Sequence, residues 1–247
     1  MIRAFVNVFR IPDLRKKVLF TLMMLCVYRV GFYVALPGVN QEKLSAYFQQ
    51  AASGAAQQMA ELFAMFTGGD LGQSTVFGLG IMPYISASII LQILRTIVPA
   101  LEKLAKEGEV GRRKIMEYTR YGTVVLCFVQ ATFWTSHLHR EGLVYADVSG
   151  FSFFIMAITG LMAGTLLLMW IGEQIDEYGV GNGISLIIMA GIVAQLPGVF
   201  WDIWRGLNFQ GTASGGIMTP EKVLFLVVSF VLVVAGAILI TQAQRRI

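Results

Sequence analysis

Apolar residues along this chain gather in long blocks separated by shorter polar intervals. Blocks at residues 18–36, 75–94, 118–134, 151–172, 184–200 and 223–240 each approach the length of a membrane crossing, for which about 20 apolar residues are needed. The pattern predicts an all-α integral membrane protein with six transmembrane helices. Residues 1–17 read differently, because Ile2, Phe5, Val6 and Phe9 alternate there with Arg3, Arg10, Arg15, Lys16 and Lys17. That is the pattern of an amphipathic segment lying at a membrane surface. The first block is longer than the core of a cleaved signal peptide and ends in Pro37-Gly38, as a spanning helix would.

The second block is broken. In residues 66–94, FTGGDLGQSTVFGLGIMPYISASIILQIL, Gly68, Gly69, Asp70 and Gly72 interrupt the apolar run, and Gly78, Gly80 and Pro83 fall inside the next one. Irregular backbone survives at membrane depth only where it is buried in protein or lines a water-filled space. The break therefore points to a cavity or path through the bilayer, with a plain surface loop at 68–72 as the alternative. Just before it, Met59, Ala60, Glu61, Leu62, Phe63, Ala64, Met65 and Phe66 form an apolar piece too short to span. Such a piece is either a surface helix or a half-helix dipping into a cavity.

Composition agrees with the pattern. Of 247 residues 56% are hydrophobic and 14% charged, with mean hydropathy +0.67, against about 25% charged in soluble domains. The net charge of +4 could suggest an anionic partner, but the placement of the basic residues explains it better. Thirteen Lys and Arg lie on one face (residues 1–17, 95–114 and the carboxyl end), whereas Lys43, Arg140, Arg205 and Lys222 lie on the other. The positive-inside bias makes the first face cytosolic and puts both termini there. Trp134, Trp201 and Trp204 then mark the outer interface and Trp170 the inner one.

Several residues invite a chemical reading. Arg29 lies within the first block, where a mid-bilayer charge costs about 2.5–3.5 kcal/mol on insertion scales, so it snorkels outward or pairs with a carboxylate. His137 and His139 are spaced as metal ligands, but no cysteine or third histidine accompanies them, and zinc takes three or four ligands; no metal site is expected. Cys26 and Cys127 fall in apolar runs and read as small buried side chains. Gly179, Gly181 and Gly183 lack the lysine of a phosphate-binding loop, so residues 173–183 read as a tight turn between helices. Gly160 and Gly164 form a GxxxG pair suited to close helix contact. The charged stretch 95–114 reads as a solvated loop or short helix, and secondarily as a docking surface. No span offers Ser with His, HExxH or paired Asp, so an enzyme is not expected, nor is a cofactor. A small-solute permease would need charged side chains inside its spans, and only Arg29 and Arg120 qualify. It remains the alternative function, beside a scaffold without a pore.

Four strings carry a resemblance: IPDLRKK at 11–17, YRVGFYVALPGV at 28–39, GIMPYISASIILQIL at 80–94 and MWIGEQIDEYGVGNGISLII at 169–188. Through them the chain resembles the amino-terminal portion of the SecY family of bacterial protein-translocation channels. Ala35 and Leu36 depart from the Ile-Pro-x-Pro-Gly usual at that corner. The resemblance covers about six of the family's ten spans, so the chain reads as a fragment whose missing spans would follow Ile247.

The resemblance implies a clamshell of two halves in the cytoplasmic (inner) membrane, with the amino terminus cytosolic. Residues 1–17 would be the surface segment, 18–201 the first half, and 202–247 an external loop, span six and the start of a cytosolic loop. It further implies that Ile81, Ile85 and Ile188 belong to the pore ring, that residues 59–66, as part of a region at about 59–73, are a plug hinged at Gly68, Gly69 and Gly72, and that Pro83, Ser86 and Gln130 line a lateral gate. Lys103, Lys106, Arg112 and Arg113 would face cytosolic partners. Those implied are the SecA motor, the ribosome, the small membrane subunits SecE and SecG, signal peptides and preproteins, and the missing carboxyl-terminal half.

Overall fold

The computed structural model describes residues 11–50, 74–145, 150–206 and 220–243. Among them every regular element is a helix: α1 Pro12–Gly31, α2 Gln41–Gln50, α3 Met82–Ile97, α4 Pro99–Lys106, α5 Glu109–Arg140, α6 Gly150–Tyr178, α7 Gly183–Gly206 and α8 Pro220–Ala243. Gly150–Tyr178, Gly183–Trp201 and Glu221–Gln242 are long and apolar enough to cross a membrane, and α3 with α4 forms a pair bent by 100°. The long helices α1 and α5 carry charge near their ends, including Arg15, Lys16 and Lys17 in one and Arg112, Arg113 and Lys114 in the other.

The chain divides into two compact units, residues 1–194 and 195–247. In the first, α3 packs along α5, α4 against both, α5 along α6, and α1 along α6. One core cluster gathers Leu36, Val39, Leu44, Cys127, Leu138, Phe153 and Leu161. The other gathers Tyr28, Phe32, Phe77, Ile81, Leu168, Ile171, Ile175 and Ile187. In the second unit α8 exposes apolar side chains all round, among them Leu224, Phe225, Val231 and Ile240.

Three expectations about the elements change. The helix expected over 75–94 begins only at Met82, with Pro83 in its first turn, where a missing N–H costs nothing. Pro83 is therefore a helix start rather than a kink. Helix α5 runs from Glu109 to Arg140 and absorbs part of the charged stretch and of the polar interval between the apolar blocks 118–134 and 151–172. Helix α6 continues to Tyr178, leaving a turn of only 179–182. Glu, Lys, Arg and Gln are good helix formers, so a helix started in lipid runs on past the point where the apolar signal stops. Cys127 is buried as expected, but Cys26 is exposed, because an apolar run does not say which of its faces meets protein.

Candidate functional site

The break ahead of α3 is built from backbone. Residues 74–81 form turns instead of helix, with Gly78 N–H donating to Thr75 O at 2.8 Å and Gly80 N–H to Phe77 O at 2.7 Å. Gly80 has φ +56°, a conformation that favours glycine. The freed backbone groups are taken up by the corner after α1: Leu36 N–H donates to Ser74 O at 2.9 Å and Val76 N–H to Val34 O at 3.0 Å. On its other side the same corner is held by Asn40 N–H to Leu143 O at 2.9 Å and Tyr145 N–H to Gly38 O at 3.2 Å. Irregular backbone is thus satisfied by neighbouring protein, as lipid requires. The corner at Ala35 and Leu36 is fixed by this pairing, since Ala35 bridges Thr75.

Glycines let the break sit close to its neighbours. A Cβ on Gly31 would enter the Phe77 ring, and one on Gly164 would overlap the Val76 carbonyl. The GxxxG pair of α6 therefore receives the irregular segments, Leu36 at Gly160 and Val76 at Gly164, rather than another helix. Phe32 packs edge-to-face against both Tyr28 and Phe77 at this point, with centroids 5.0 Å and 5.5 Å apart.

Ile81 follows immediately as the residue capping α3 and is 2% exposed. Ile85, whose N–H donates to Ile81 O at 3.1 Å, and Ile188 on α7 both pack partly buried against the same apolar cluster. The three isoleucines, 103 positions apart between Ile85 and Ile188, are brought to one place. Pro83 is buried, while Ser86 on α3 and Gln130 on α5 are half-buried on two helices that pack together. The expected plug, residues 59–66, and its hinge glycines Gly68, Gly69 and Gly72 lie outside the described residues.

Lys103 and Lys106 on α4 and Arg112 and Arg113 on α5 are all exposed. Lys106 Nζ lies 2.6 Å from Glu102 Oε1, an i,i+4 pair on a solvated face. Gly111 lets α5 approach the Leu104 carbonyl of α4, so the charged stretch is a helical hairpin tip. Arg29 is exposed in the last turn of α1, where the helix dipole favours a cation. His139 stacks near Phe153 and Phe154, and His137 meets Trp134 and Tyr47; both rings serve as packing partners.

Two features were not read from the sequence. Arg120 Nε donates to Glu173 Oε1 at 2.7 Å, joining α5 to α6. Helix α5 also buries Thr119, Thr123, Cys127, Ala131 and Thr135, a four-residue spacing of small side chains that would have been a legible signal. The turn between α6 and α7 is tied by Asp176 Oδ1, which accepts the Gly183 N–H at 2.7 Å, and by Thr21 Oγ1, which accepts the Val180 N–H at 3.2 Å.

Comparison with known proteins bears on what this arrangement belongs to. The SecY family model matches residues 75–247. A protein translocase subunit SecY from Pseudomonas aeruginosa is 43% identical over 237 residues, covering 96% of this chain and 51% of its own length. Those of Bacillus subtilis and Thermus thermophilus are 41% and 42% identical, covering all of this chain and 56% and 55% of theirs. The chain thus spans about half the length of these curated relatives. Among solved structures, a protein-conducting channel and Sec61 in a canine ribosome–channel complex from the endoplasmic reticulum each align with TM-score 0.53 at 20% identity, over 78% of this chain and 41% of theirs. At that identity the likeness concerns the fold.

Proposed function

The chain belongs to the SecY family, and from that premise we propose that it supplies the amino-terminal half of the pore-forming subunit of a protein-conducting channel. The channel passes unfolded preproteins across a membrane and releases transmembrane segments into it. The observation that carries this reading is the break ahead of α3, where irregular backbone is held by neighbouring segments and Ile81, Ile85 and Ile188 meet one apolar cluster. An aliphatic ring gates by dewetting. It closes around an extended chain without binding it, as varied cargo demands.

In this reading Ile81, Ile85 and Ile188 are ring members, and Pro83 starts the helix that follows them. Ser86 and Gln130 are gate positions whose polar contacts, at about 0.6 kcal/mol each, hold a seam that an apolar signal sequence can open. Residues 59–66, hinged at Gly68, Gly69 and Gly72, close the pore from outside; this role rests on the resemblance. Residues 1–17 lie on the cytosolic surface, 18–201 form the first half, and 202–247 begin the second. Lys103, Lys106, Arg112 and Arg113 offer a basic surface to SecA or the ribosome, and SecE and SecG complete the complex in the bacterial cytoplasmic membrane. The canine Sec61 relative in its ribosome–channel complex supports a ribosome as partner.

The test is an aqueous-accessibility scan of Ile81→Cys, Ile85→Cys and Ile188→Cys in the complete channel carrying a stalled precursor. All three are expected to react with a water-soluble thiol reagent or to cross-link to the cargo. Protection of all three would sink the ring assignment.

A further inference from the structure

The geometry points to Arg120 and Glu173 as a positioning pair that holds the gate-bearing helices against the rest of the half-channel, an inference that rests on the channel reading above. Helices α3, α4 and α5 form one packed hairpin, and α6 packs with α1. The two groups meet along the seam between α5 and α6. On that seam α5 presents small side chains, and the hydroxyls of Thr119, Thr123 and Thr135 donate to carbonyls of their own helix, Ile115 O at 2.9 Å, Thr119 O at 2.7 Å and Ala131 O at 2.7 Å. Small side chains allow close approach, and these hydroxyls add no bond across it. The Arg120–Glu173 bond does cross it.

The pair is half open to solvent on its arginine side, where the Arg120 side chain is 47% exposed. It joins positions 53 apart in sequence at 2.7 Å, and the Glu173 side chain is only 21% exposed. Tyr84, the residue before Ile85, lies within electrostatic reach of Glu173, Asp176 and Arg120, and Asp176 in turn holds the first N–H of α7. The pair thus joins α5 to α6, and three residues further along α6 Asp176 ties the start of α7. The bond is made in the arrangement in which Ile81 is buried in its cluster. An interaction present in one state shifts the population toward that state by its differential energy. Breaking the pair frees the α3–α5 hairpin and lowers the demand on a signal sequence to part the gate.

The experiment uses the complete translocase in proteoliposomes, with the second half of the channel and its partner subunits present. One precursor is compared with the same precursor carrying a shortened apolar signal core, and the ratio of weak-signal to normal passage is read. Arg120→Glu and Glu173→Arg are each expected to raise that ratio about two- to fivefold, the range for a partly exposed ion pair, and the double reversal to restore it. A channel that is merely destabilised loses both cargoes in parallel and leaves the ratio unchanged. That result, or a double reversal no better than the two singles combined, overturns the proposal. If a reversal does not accumulate, Arg120→Gln and Glu173→Gln are read in the same assay, and an unchanged ratio in both also overturns it. Failure of the parent complex to pass the normal precursor would instead refute the channel reading, and the pair's role with it.

Discussion

At Gly164 the backbone of α6 comes so close to the Val76 carbonyl that any Cβ would overlap it, and backbone cannot swing aside as a long side chain can. Gly164→Ala is therefore expected to destabilise the folded chain by about 1–3 kcal/mol, the usual cost of overpacking. Gly122→Ala, whose Cβ would meet only Ala87 Cβ at 3.6 Å, should leave stability unchanged or raise it slightly through helix propensity. Denaturant unfolding of the two variants in detergent micelles distinguishes them, and equal stability would contradict the packing account. The GxxxG spacing was legible as a site of close approach. Its occupant was not, because a strand of irregular backbone leaves no periodic mark of what it will lie against. The pairing of Arg120 with Glu173 was equally hidden, since two charges 53 residues apart carry no sign of each other.

Among the elements, the α6–α7 turn shows how a glycine-rich string earns its shape. Gly181 takes φ +83°, a Cβ on Gly183 would overlap the Gly172 carbonyl, and Asp176 and Asn182 accept the N–H groups of Gly183 and Ser185. These are orphan donors at a helix start, which side-chain oxygens satisfy. Removing the carboxylate in Asp176→Ala should cost about 0.5–2 kcal/mol and speed hydrogen exchange at the Gly183 amide. Unchanged exchange there would mean that water replaces Asp176 without loss. The turn was readable from its glycines, though its length was not. Helix ends in α5 and α6 follow backbone hydrogen bonding and local propensity, which continue past the edge of the apolar block. The start of α3 was masked for the opposite reason: the stretch 75–81 is apolar enough to look helical, and only its pairing with 34–36 pulls it into turns.

For the molecule as a whole, the chain spans about half the length of the relatives it matches. On the channel reading proposed above, half a clamshell lacks the opposing wall of the gate. Residues 1–247 expressed alone are therefore expected to integrate into membranes yet pass no precursor in proteoliposomes, with transport appearing when the second half is supplied; unaided import would refute this. By itself the sequence determined that the protein is helical and membrane-embedded, because block length and hydropathy are local quantities fixed by solvent transfer. It also determined the family, because four long strings match it. The tertiary structure decided what closes the broken segment, which faces of α1 and α6 meet protein, and how Ile81, Ile85 and Ile188 come to share one cluster. Those outcomes depend on backbone groups and side chains from distant positions satisfying one another in a medium without water, and no local pattern records that requirement.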